Sequence, residues 1–579
     1  MNSSTSGNIR LELKRLYMRF WSSDGAVFAA SSAVVGLGAG LSAILFRWLT
    51  LFFNDIFFVA GENTLSFLGR YYVIFVPAAG GLVAGCLIHF LSPKARGFGL
   101  PEVIEAVTLN KGRISPLYSL VKAITASICI GTGGSVGIVG PIVQMGSGLG
   151  SYLGQKMRLA DEKVRVLVAC GAAGGLATTF NAPIAGVFFA MEGILRAFAG
   201  RSFAMVVIAS VVAAEIGRLY FGNFPAFQVL PHALESPWEL AFYGVLGVTT
   251  GLIGTLFTTV LYGTEDLFNK LRVPPYVKPA LGGLGVGFLG LATPQVFGVG
   301  FETIELTLLG QIGPLLLLGL LATKLIATSL SLGSGGSGGV FAPILFLGAV
   351  LGGSFGHLAH HLAPSLTGLS GAYALVGMAG LIAGTAKSPM TAVLLIFEMT
   401  RDYRLILPLM FTAVVSYLLA SHINGDSIYT QKLARRGVKL DTEPDPNILG
   451  MTRAANAMTP VSELRIIKPE TSFDQLAELF QQTHSHGFAV VDNAGLFVGI
   501  VALSDLEGAM AKGQTSGTVG DITTSELVTA QADESLEELV QKMGQHDVSR
   551  IPVIGRKPTE LLGMVHRADV IRAYTRKDR

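Results

Sequence analysis

The sequence predicts an all-helical membrane region of tilted and broken helices, followed by a soluble α/β region. Composition is the first reason: 50% of the 579 residues are hydrophobic and only 14% are charged, whereas a soluble domain is about 25% charged. Charged residues become frequent only after about residue 450. Long apolar runs interrupted by glycine and proline are the second reason, and internal repeats are the third. The net charge of +3 gives no reason to expect a nucleic acid partner.

Eleven apolar runs have the composition of membrane helices. Several are longer than the roughly 20 residues that one span needs, and glycine or proline interrupts those long runs. Such segments indicate tilted and discontinuous helices, as in transporters and channels, rather than a simple bundle. The runs cover residues 25–58, 71–93, 117–155, 163–196, 202–222, 237–268, 277–297, 313–332, 337–363, 370–400 and 404–422.

Basic residues flank the apolar region on both sides. Cytoplasmic segments of membrane proteins carry an excess of Lys and Arg, so we expect a multi-pass protein of an inner or plasma membrane with both termini cytoplasmic. We expect no cleavable signal peptide, and cysteines in apolar runs are expected to be core residues rather than disulfides. The bases are Arg10, Lys14, Arg15 and Arg19 before the first run, and Lys432, Arg435, Arg436 and Lys439 after the last; the cysteines are Cys86, Cys129 and Cys170.

The apolar region contains two related halves. The stretch GTGGSVGIVGP (Gly131–Pro141) aligns without a gap with GSGGSGGVFAP (Gly333–Pro343). At nearly the same offset, NAPIAGVFFAME (Asn181–Glu192) corresponds to KSPMTAVLLIFE (Lys387–Glu398), and in both a glutamate follows the proline by nine residues. Interrupted segments at matching places in two halves indicate a transport site near the middle of the membrane.

The paired glycine segments have the properties of helix starts that hold an anion. The first N–H groups of a helix have no partner within the helix, and the helix dipole makes that end positive. Within a membrane these groups need another partner, and glycine lets an anion approach the backbone closely. Pro141 and Pro343 suit the first turn of a helix. Close helix packing is the alternative explanation, whereas a nucleotide P-loop is disfavoured because no Gly-Lys-Ser/Thr follows.

Two further stretches join the set of candidate binding segments. GFGLPEV (Gly97–Val103) has the same style, with Pro101 opening an apolar, helix-like run. GDSIYTQKL (Gly425–Leu433) places Tyr429 just after the last apolar run. A tyrosine at that position is usually an interface anchor, but its hydroxyl is also able to donate a hydrogen bond to an anion.

With these motifs in this order, residues 25–440 resemble the CLC family of chloride channels and proton-coupled chloride transporters. Four anion-site segments of the family resemble GFGLP, GIVGP, GGVFAP and IYTQKL here, and FNAPIAGVFFAME and SPMTAVLLIFEMT resemble two further signatures. The resemblance implies an antiparallel inverted repeat and a homodimer with one pore for chloride or a similar anion in each subunit. The implied anion-binding residues are Gly97, Phe98, Gly99, Leu100, Pro101, Gly137, Ile138, Val139, Gly140, Pro141, Gly339, Val340, Phe341, Ala342 and Tyr429, with the anion meeting the backbone of Val340 and Phe341 and the hydroxyl of Tyr429.

Two departures from the family pattern concern proton coupling. The family usually has a gating glutamate where this chain has Val139, and its transporters usually have an internal proton-handling glutamate where this chain has Gly193. Valine neither competes with an anion as a carboxylate nor carries a proton, so we expect passive chloride conduction that is uncoupled from protons. An inactive member is one alternative. A proton-coupled exchanger in which Glu102, Glu105 or Glu192 substitutes is another.

A third departure is Phe98, which occupies the position of a serine in the family's GSGIP segment. Phenylalanine offers an anion no hydroxyl, only the positive edge of its ring. Chloride is still the expected substrate, and the selectivity among chloride, bromide, nitrate and fluoride stays open.

The C-terminal region contains a repeat of its own. Residues Gly487–Met510 and Ser549–Tyr574 each read as a strand, a turn and a second strand, with an aspartate that leads into a helix. This pattern resembles a tandem pair of CBS domains, a module that often binds adenine nucleotides. The resemblance implies that Asp505 and Asp569 lie within reach of ribose hydroxyls.

The sequence leaves the ligand of this pair open. The family often has Thr or Ser at the positions of Ala502 and His566. A tail that only holds a dimer together is therefore an alternative to an adenine nucleotide sensor. We expect no required cofactor and no metal, because His484 and His486 read as surface residues of a turn.

Three functions compete: a passive anion channel, an anion/proton exchanger, and a membrane-anchored, nucleotide-sensing protein with a degenerate pore. Val139 and Gly193 favour the first over the second, and the complete set of pore segments disfavours the third. An enzyme is not supported, because no nucleophile–base pair or metal-ligand set lies near the glycine segments. The expected organisation is a cytoplasmic segment (1–24), the transmembrane domain (25–440), a linker (441–457), a first CBS domain (458–515) and a second (516–579).

Overall fold

Helices made from the apolar runs form the first of two compact units, Met1–Leu440, and a mixed α/β unit, Asp441–Arg579, follows it. The computed structural model describes residues 24–59, 66–227, 235–438, 448–483, 485–525, 527–555, 557 and 559–575. The N-terminal bases, Lys439, His484 and residues 441–447 of the predicted linker lie outside the described residues.

The described part of the first unit is helical, which confirms the predicted fold class of this region. Eight of its helices are long and apolar enough to cross a membrane, so the protein is an integral, multi-pass membrane protein. The helices are α1 (Asp24–Asn54), α2 (Phe75–Leu91), α3 (Leu100–Thr108), α4 (Pro116–Gly131), α5 (Val139–Lys156), α6 (Asp161–Phe180), α7 (Pro183–Phe188), α8 (Gly200–Phe221), α9 (Glu239–Lys270), α10 (Lys278–Ala292), α11 (Phe301–Leu308), α12 (Pro314–Gly333), α13 (Phe341–Leu362), α14 (Ser370–Ala386), α15 (Pro389–Thr400), α16 (Ile406–Ile423) and α17 (Ile428–Arg435).

Prolines and left-handed residues break the long runs at matching places in the two halves. After α6, Asn181 has φ 54° and Pro183 opens α7; after α14, Lys387 has φ 58° and Pro389 opens α15. Proline lacks an N–H and clashes inside a helix, but it suits the first turn. The predicted runs 163–196 and 370–400 are therefore interrupted, as their composition indicates. Run 117–155 is interrupted by the glycine segment between α4 and α5.

The two halves run antiparallel, as the packing of α2 against α10 shows. The backbones touch along the whole contact, because glycine has no Cβ to keep them apart. As the residue numbers rise along α2, the numbers of the contacting residues of α10 fall. The two helices therefore point in opposite directions. The close contacts join Ile74 with Gly287, Pro77 with Gly283, Gly81 with Pro279, and Gly85 with Tyr276.

Glycine contacts also hold the centre of the unit together, once in each half. An added Cβ at Gly171 of α6 would lie 2.0 Å from the carbonyl oxygen of Gly146 in α5. An added Cβ at Gly377 of α14 would lie 2.5 Å from the carbonyl oxygen of Gly348 in α13. These close approaches position the starts of α5 and α13, the two helices that follow the repeated glycine segments.

The described residues of the second unit form two sheets, ordered β1-β7-β6-β5 and β2-β3-β4. The hairpins β3–β4 and β6–β7 are antiparallel, whereas β2 and β5 pair in parallel with β3 and β6. The predicted repeat of strand, strand and helix is thereby confirmed. The elements are α18 (Ile448–Met451), α19 (Ala454–Ala457), β1 (Thr459–Pro460), β2 (Ile466–Ile467), α20 (Phe473–Thr483), β3 (Gly487–Val491), β4 (Phe497–Ala502), α21 (Leu503–Ala511), α22 (Val519–Ile522), β5 (Ala530–Gln531), α23 (Leu536–His546), β6 (Arg550–Ile554), β7 (Leu561–His566) and α24 (Arg567–Thr575).

The two modules of this unit exchange their opening segments. Strand β1 pairs with β7, so the start of the first module joins the sheet of the second. Ala454 is buried in the apolar core that contains Leu536, whereas Val519 is buried in the core that contains Phe473. Residues that precede the first module therefore complete the core of the second, and residues that precede the second module complete the core of the first.

Gly171→Ala should lower the thermal stability of the detergent-solubilised protein, because the new methyl group would overlap the backbone of Gly146. Overpacking of this kind costs about 1–3 kcal/mol. The matched control is Gly319→Ala in α12, where an added Cβ meets nothing within 4 Å. Thermal unfolding followed by size-exclusion chromatography compares the two, and an equal midpoint for both variants would contradict the proposed contact.

Candidate functional site

Three glycine-rich segments from the two halves meet inside the first unit. Gly137 and Gly339 exchange two backbone N–H···O hydrogen bonds of 2.7 Å each. Gly97 donates to the Gly336 carbonyl at 3.3 Å and accepts from the Gly338 N–H at 3.4 Å. Irregular backbone within a membrane needs protein partners, since water is absent there. These bonds therefore stabilise the segments and hold the helix starts of the two repeats together.

Helices α3, α5, α13 and α17 begin around this junction. The first intrahelical bonds of α5 and α13 run from the Ile142 N–H to Ile138 O and from the Ile344 N–H to Val340 O. The N–H groups before these donors have no partner within their helices. Among the residues that the structure describes, no side chain caps the starts of α3, α5 or α13. Uncapped, positive helix ends of both halves thus lie beside the Gly137–Gly339 bridge.

A small cavity lies where these helices begin. Its volume is about 10 Å³, which is room for roughly one water molecule. Within the described part of the chain, the side chains around it are apolar except for the hydroxyl of Tyr429. The polar groups that the cavity offers to an ion are therefore backbone N–H groups and this one hydroxyl.

Predicted binding residues from all four segments line this cavity, and two further lining residues were missed. Val143 follows Val139 by one helical turn, so the i, i+4 spacing was the available signal. Phe189 lies within the repeated stretch that ends at Glu192. The lining residues are Phe98, Leu100, Val139, Gly140, Val143, Phe189, Gly339, Val340, Phe341 and Tyr429; the predicted Gly97, Gly99, Pro101, Gly137, Ile138, Pro141 and Ala342 lie in the same segments but not in the wall.

The two positions that lack the expected glutamates are structurally different. Val139 opens α5 and is 2% exposed, with its side chain in the cavity wall. Gly193 lies in the π-helical turn after α7, where an added Cβ would lie 3.9 Å from the Phe189 ring and from Ser388 Oγ. Those are ordinary van der Waals distances, so packing around Cβ does not by itself require glycine at this position.

The two repeated glutamates cap helices of the opposite half. Glu192 accepts hydrogen bonds from the N–H groups of Met390 and Thr391, at 3.2 and 2.9 Å, at the start of α15. Glu398 accepts from the N–H groups of Ile184 and Ala185, at 3.0 and 2.7 Å, at the start of α7. A carboxylate that accepts two N–H bonds at a positive helix end is strongly held there. This reciprocal capping explains why both stretches carry a glutamate nine residues after the proline.

The carboxylates of α3 lie beside the C-terminal end of α17. Glu102 pairs with Arg436 at 2.9 Å, and Glu105 lies 3.8 Å from the same guanidinium. One turn earlier in the chain, Lys432 of α17 pairs with Glu265 of α9. The helix that presents Tyr429 to the cavity is therefore held by ion pairs to both α3 and α9.

Phe98 lies in the cavity wall and packs beside Tyr262 and Lys432. Its ring centroid lies 6.3 Å from that of Tyr262, and the Lys432 ammonium lies 5.6 Å from the Phe98 centroid. A cation over the face of a ring leaves the positive ring edge for other contacts. The Phe98 side chain is 3% exposed, so its position is set by packing.

Sequence reasoning also missed two buried lysines, Lys122 in α4 and Lys324 in α12. Each stands nine residues before the glycine that opens a repeated segment, Gly131 or Gly333. A basic residue at matching places in two apolar runs was the available signal, because ionisable groups within a membrane are rare and usually functional.

In the second unit, the two predicted ribose-binding aspartates cap their own helices. Asp505 Oδ2 accepts the Ala502 N–H at 2.7 Å, and Asp569 Oδ2 accepts the His566 N–H at 2.9 Å. The other oxygen of Asp569 lies 3.6 Å from Arg572. Each aspartate thus stabilises the turn from strand to helix. Within the described residues, no group of three metal-ligating side chains is present.

Comparisons with known proteins agree with this architecture. The family model described as "Voltage gated chloride channel" matches residues 80–421, and the CBS domain model matches residues 454–512 and 519–576. The chain is 32% identical to the H(+)/Cl(−) exchange transporter ClcA of Salmonella arizonae, covering 79% of this chain and 97% of that protein. It is 28% identical to the chloride channel protein CLC-f of Arabidopsis thaliana, covering 85% of this chain and 72% of that protein.

Among solved structures, a slow cyanobacterial Cl−/H+ antiporter superposes with a TM-score of 0.65 at 26% identity, covering 71% of this chain and 97% of that chain. The fold and these matches define a membrane protein of a class that transports anions. The chain belongs to the CLC family of chloride channels and transporters and carries two CBS modules in its C-terminal unit.

Glu192→Gln should lower the thermal stability and leave anion transport unchanged, because an amide oxygen accepts the two N–H bonds of α15 less strongly than a carboxylate. The expected loss is about 1–2 kcal/mol. Glu398→Gln is the matched variant in the other half and should behave alike. Unfolding temperatures and chloride flux from liposomes measure the two effects. Lost transport with an unchanged unfolding temperature would contradict a capping role.

Proposed function

We propose that this protein conducts chloride passively and without coupled proton movement. Val139 is the observation that carries the proposal. It stands in the cavity wall where the family usually has its gating glutamate, and it has no carboxylate to compete with the anion or to carry a proton. The glycine at position 193 removes the internal proton-handling residue as well.

The chemistry of the cavity supports an anion as the transported species. Backbone N–H groups at uncapped helix starts attract an anion without a full positive charge in the wall, which keeps binding loose enough for release. The Tyr429 hydroxyl adds one donor. Each predicted segment, from Gly97–Pro101 to Tyr429, has its part in this proposed site. A homodimer with one pore per subunit, and cytoplasmic termini, complete the proposal for the transmembrane domain, residues 25–440.

For the CBS pair, residues 458–515 and 516–579, we propose a regulatory or dimer-stabilising role. An adenine nucleotide is the ligand that the family resemblance implies. Asp505 suits a ribose contact better than Asp569, because both carboxylate oxygens of Asp569 already lie near protein donors.

Reconstituted protein should release chloride from liposomes without moving protons. A chloride gradient should therefore fail to drive protons uphill, because neither carboxylate of the usual proton route is present. A proton-sensitive dye outside the liposomes, read alongside a chloride electrode, measures both fluxes. Stoichiometric uphill proton movement would contradict the proposal.

Val139→Glu should impose pH dependence on the chloride current. At neutral pH the new carboxylate would occupy the anion site and block it, and protonation would relieve the block. The current should thus rise as the pH falls toward the usual glutamate pKa of about 4.3. Val139→Gln, which matches the side chain without its charge, is the control and should show no such rise. Equal pH profiles for the two variants would overturn the assignment of position 139.

A proton-coupled exchanger is the second candidate, and Glu102 is the observation that favours it. One of its carboxylate oxygens is buried without a hydrogen-bond partner among the described residues. Relatives of this chain include a named H(+)/Cl(−) exchange transporter. If proton movement is found in the liposome assay, Glu102→Gln should abolish it in this candidate.

A further inference from the structure

Two lysines, Lys122 and Lys324, are fully buried inside the membrane-spanning unit, each with 0% exposure. An amine in this environment is costly, and such residues usually line ion paths or bind backbone carbonyls. The carbonyl contacts are present here. They explain how the lysines are tolerated, but not why two apolar runs retain them.

Each lysine binds the turn that precedes a short helix. Lys122 Nζ donates to the carbonyl oxygens of Ala95, at 3.1 Å, and of Gly97. Lys324 Nζ donates to those of Val296, at 3.0 Å, and Gly298, at 2.8 Å. An ammonium has three donors and no acceptor, so carbonyl partners suit its charged form.

No carboxylate lies within ion-pair distance of either lysine among the residues that the structure describes. The acids nearest in sequence to the first turn, Glu102 and Glu105, face Arg436 instead. Carbonyl contacts leave the net charge of an ammonium unchanged. A protonated amine at either position is therefore a positive charge in a low-dielectric region, where its field is weakly screened.

The two charges lie toward opposite faces of the membrane. Lys122 holds the turn that follows α2, and Lys324 holds the turn that follows α10. Because α2 and α10 are antiparallel and Gly85 lies beside Tyr276, their C-terminal ends are separated by about 30 Å along the helix axis. The first turn lies at the end of the unit where Glu102 meets the C-terminal end of α17.

Lys122 lies close behind the cavity wall, and Lys324 lies beside a helix that starts at the cavity. An added Cβ at Gly99 would lie 3.3 Å from Lys122 Cε and 3.2 Å from the carbonyl oxygen of Gly140, which lines the cavity. Lys324 Nζ lies 4.9 Å from the ring centroid of Phe346 in α13, the helix that starts at the cavity.

We propose that Lys122 and Lys324 are two fixed cations that attract the anion from opposite faces of the membrane, so that each controls anion entry from its own side. This inference rests on the anion conduction under Proposed function but not on the absence of proton coupling. The pseudo-symmetry then has a measurable consequence. Removal of one charge should make the current rectify, and removal of the other should make it rectify in the opposite sense.

Lys122→Gln and Lys324→Gln test this, because an amide still donates to the carbonyls but has no charge. Single-channel or macroscopic currents are recorded in planar bilayers with equal chloride on both sides. A protease added to one chamber identifies the side that exposes the C-terminal unit. At low chloride, Lys122→Gln should reduce anion entry from the α17 side about threefold to tenfold, and Lys324→Gln should reduce entry from the other side to a similar extent.

The chloride dependence separates an electrostatic role from a merely structural one. An electrostatic loss should disappear at saturating chloride, and Lys122→Arg or Lys324→Arg should restore the low-chloride current. Equal losses in both directions, the same sense of rectification for both variants, or unchanged currents would overturn the inference. If a Gln variant does not yield folded protein, the similarly sized Lys→Met variant takes its place with the same expected rectification. Absence of chloride current in the unmodified protein would instead contradict the proposed anion conduction.

Discussion

The backbone pairing of Gly137 with Gly339 is the contact on which the rest of the candidate site depends. Helices that begin inside a membrane expose N–H groups that lipid cannot satisfy. The two hydrogen bonds of this pair stabilise the irregular backbone of both repeats and bring the starts of α5 and α13 together. The N–H groups that are left over become the polar surface of the cavity. The same constraint explains the composition, since only glycine allows backbones to approach this closely.

Antiparallel pseudo-symmetry extends this reciprocity through the whole unit. Glu192 caps a helix of the second half and Glu398 caps one of the first, so the two halves stabilise each other's breaks. The buried lysines hold corresponding turns toward opposite faces. Tyr429 does not follow this symmetry, because it comes from α17, which follows the second half. We attribute this exception to the proposed role of its hydroxyl in anion binding.

The sequence predicted the features that local physics determines. Composition predicted the membrane region, and prolines such as Pro183 and Pro389 marked the helix breaks. The gap-free repeat brought Val139 and Phe341 together as candidates, and both line one cavity. Long-range partners were not predictable from local pattern: the caps formed by Glu192 and Glu398 join residues about 200 positions apart. The exchange of opening segments between the CBS modules was missed for the same reason, because β1 joins the sheet of the second module.

The central claim is that chloride passes without a proton, and the reversal potential in crossed gradients tests it most directly. Reconstituted protein is placed between solutions that differ in chloride, and the pH of one side is then changed at constant chloride. An uncoupled pore predicts a reversal potential at the chloride equilibrium potential that does not move with the pH gradient. A reversal potential that shifts in proportion to the pH gradient would contradict the claim.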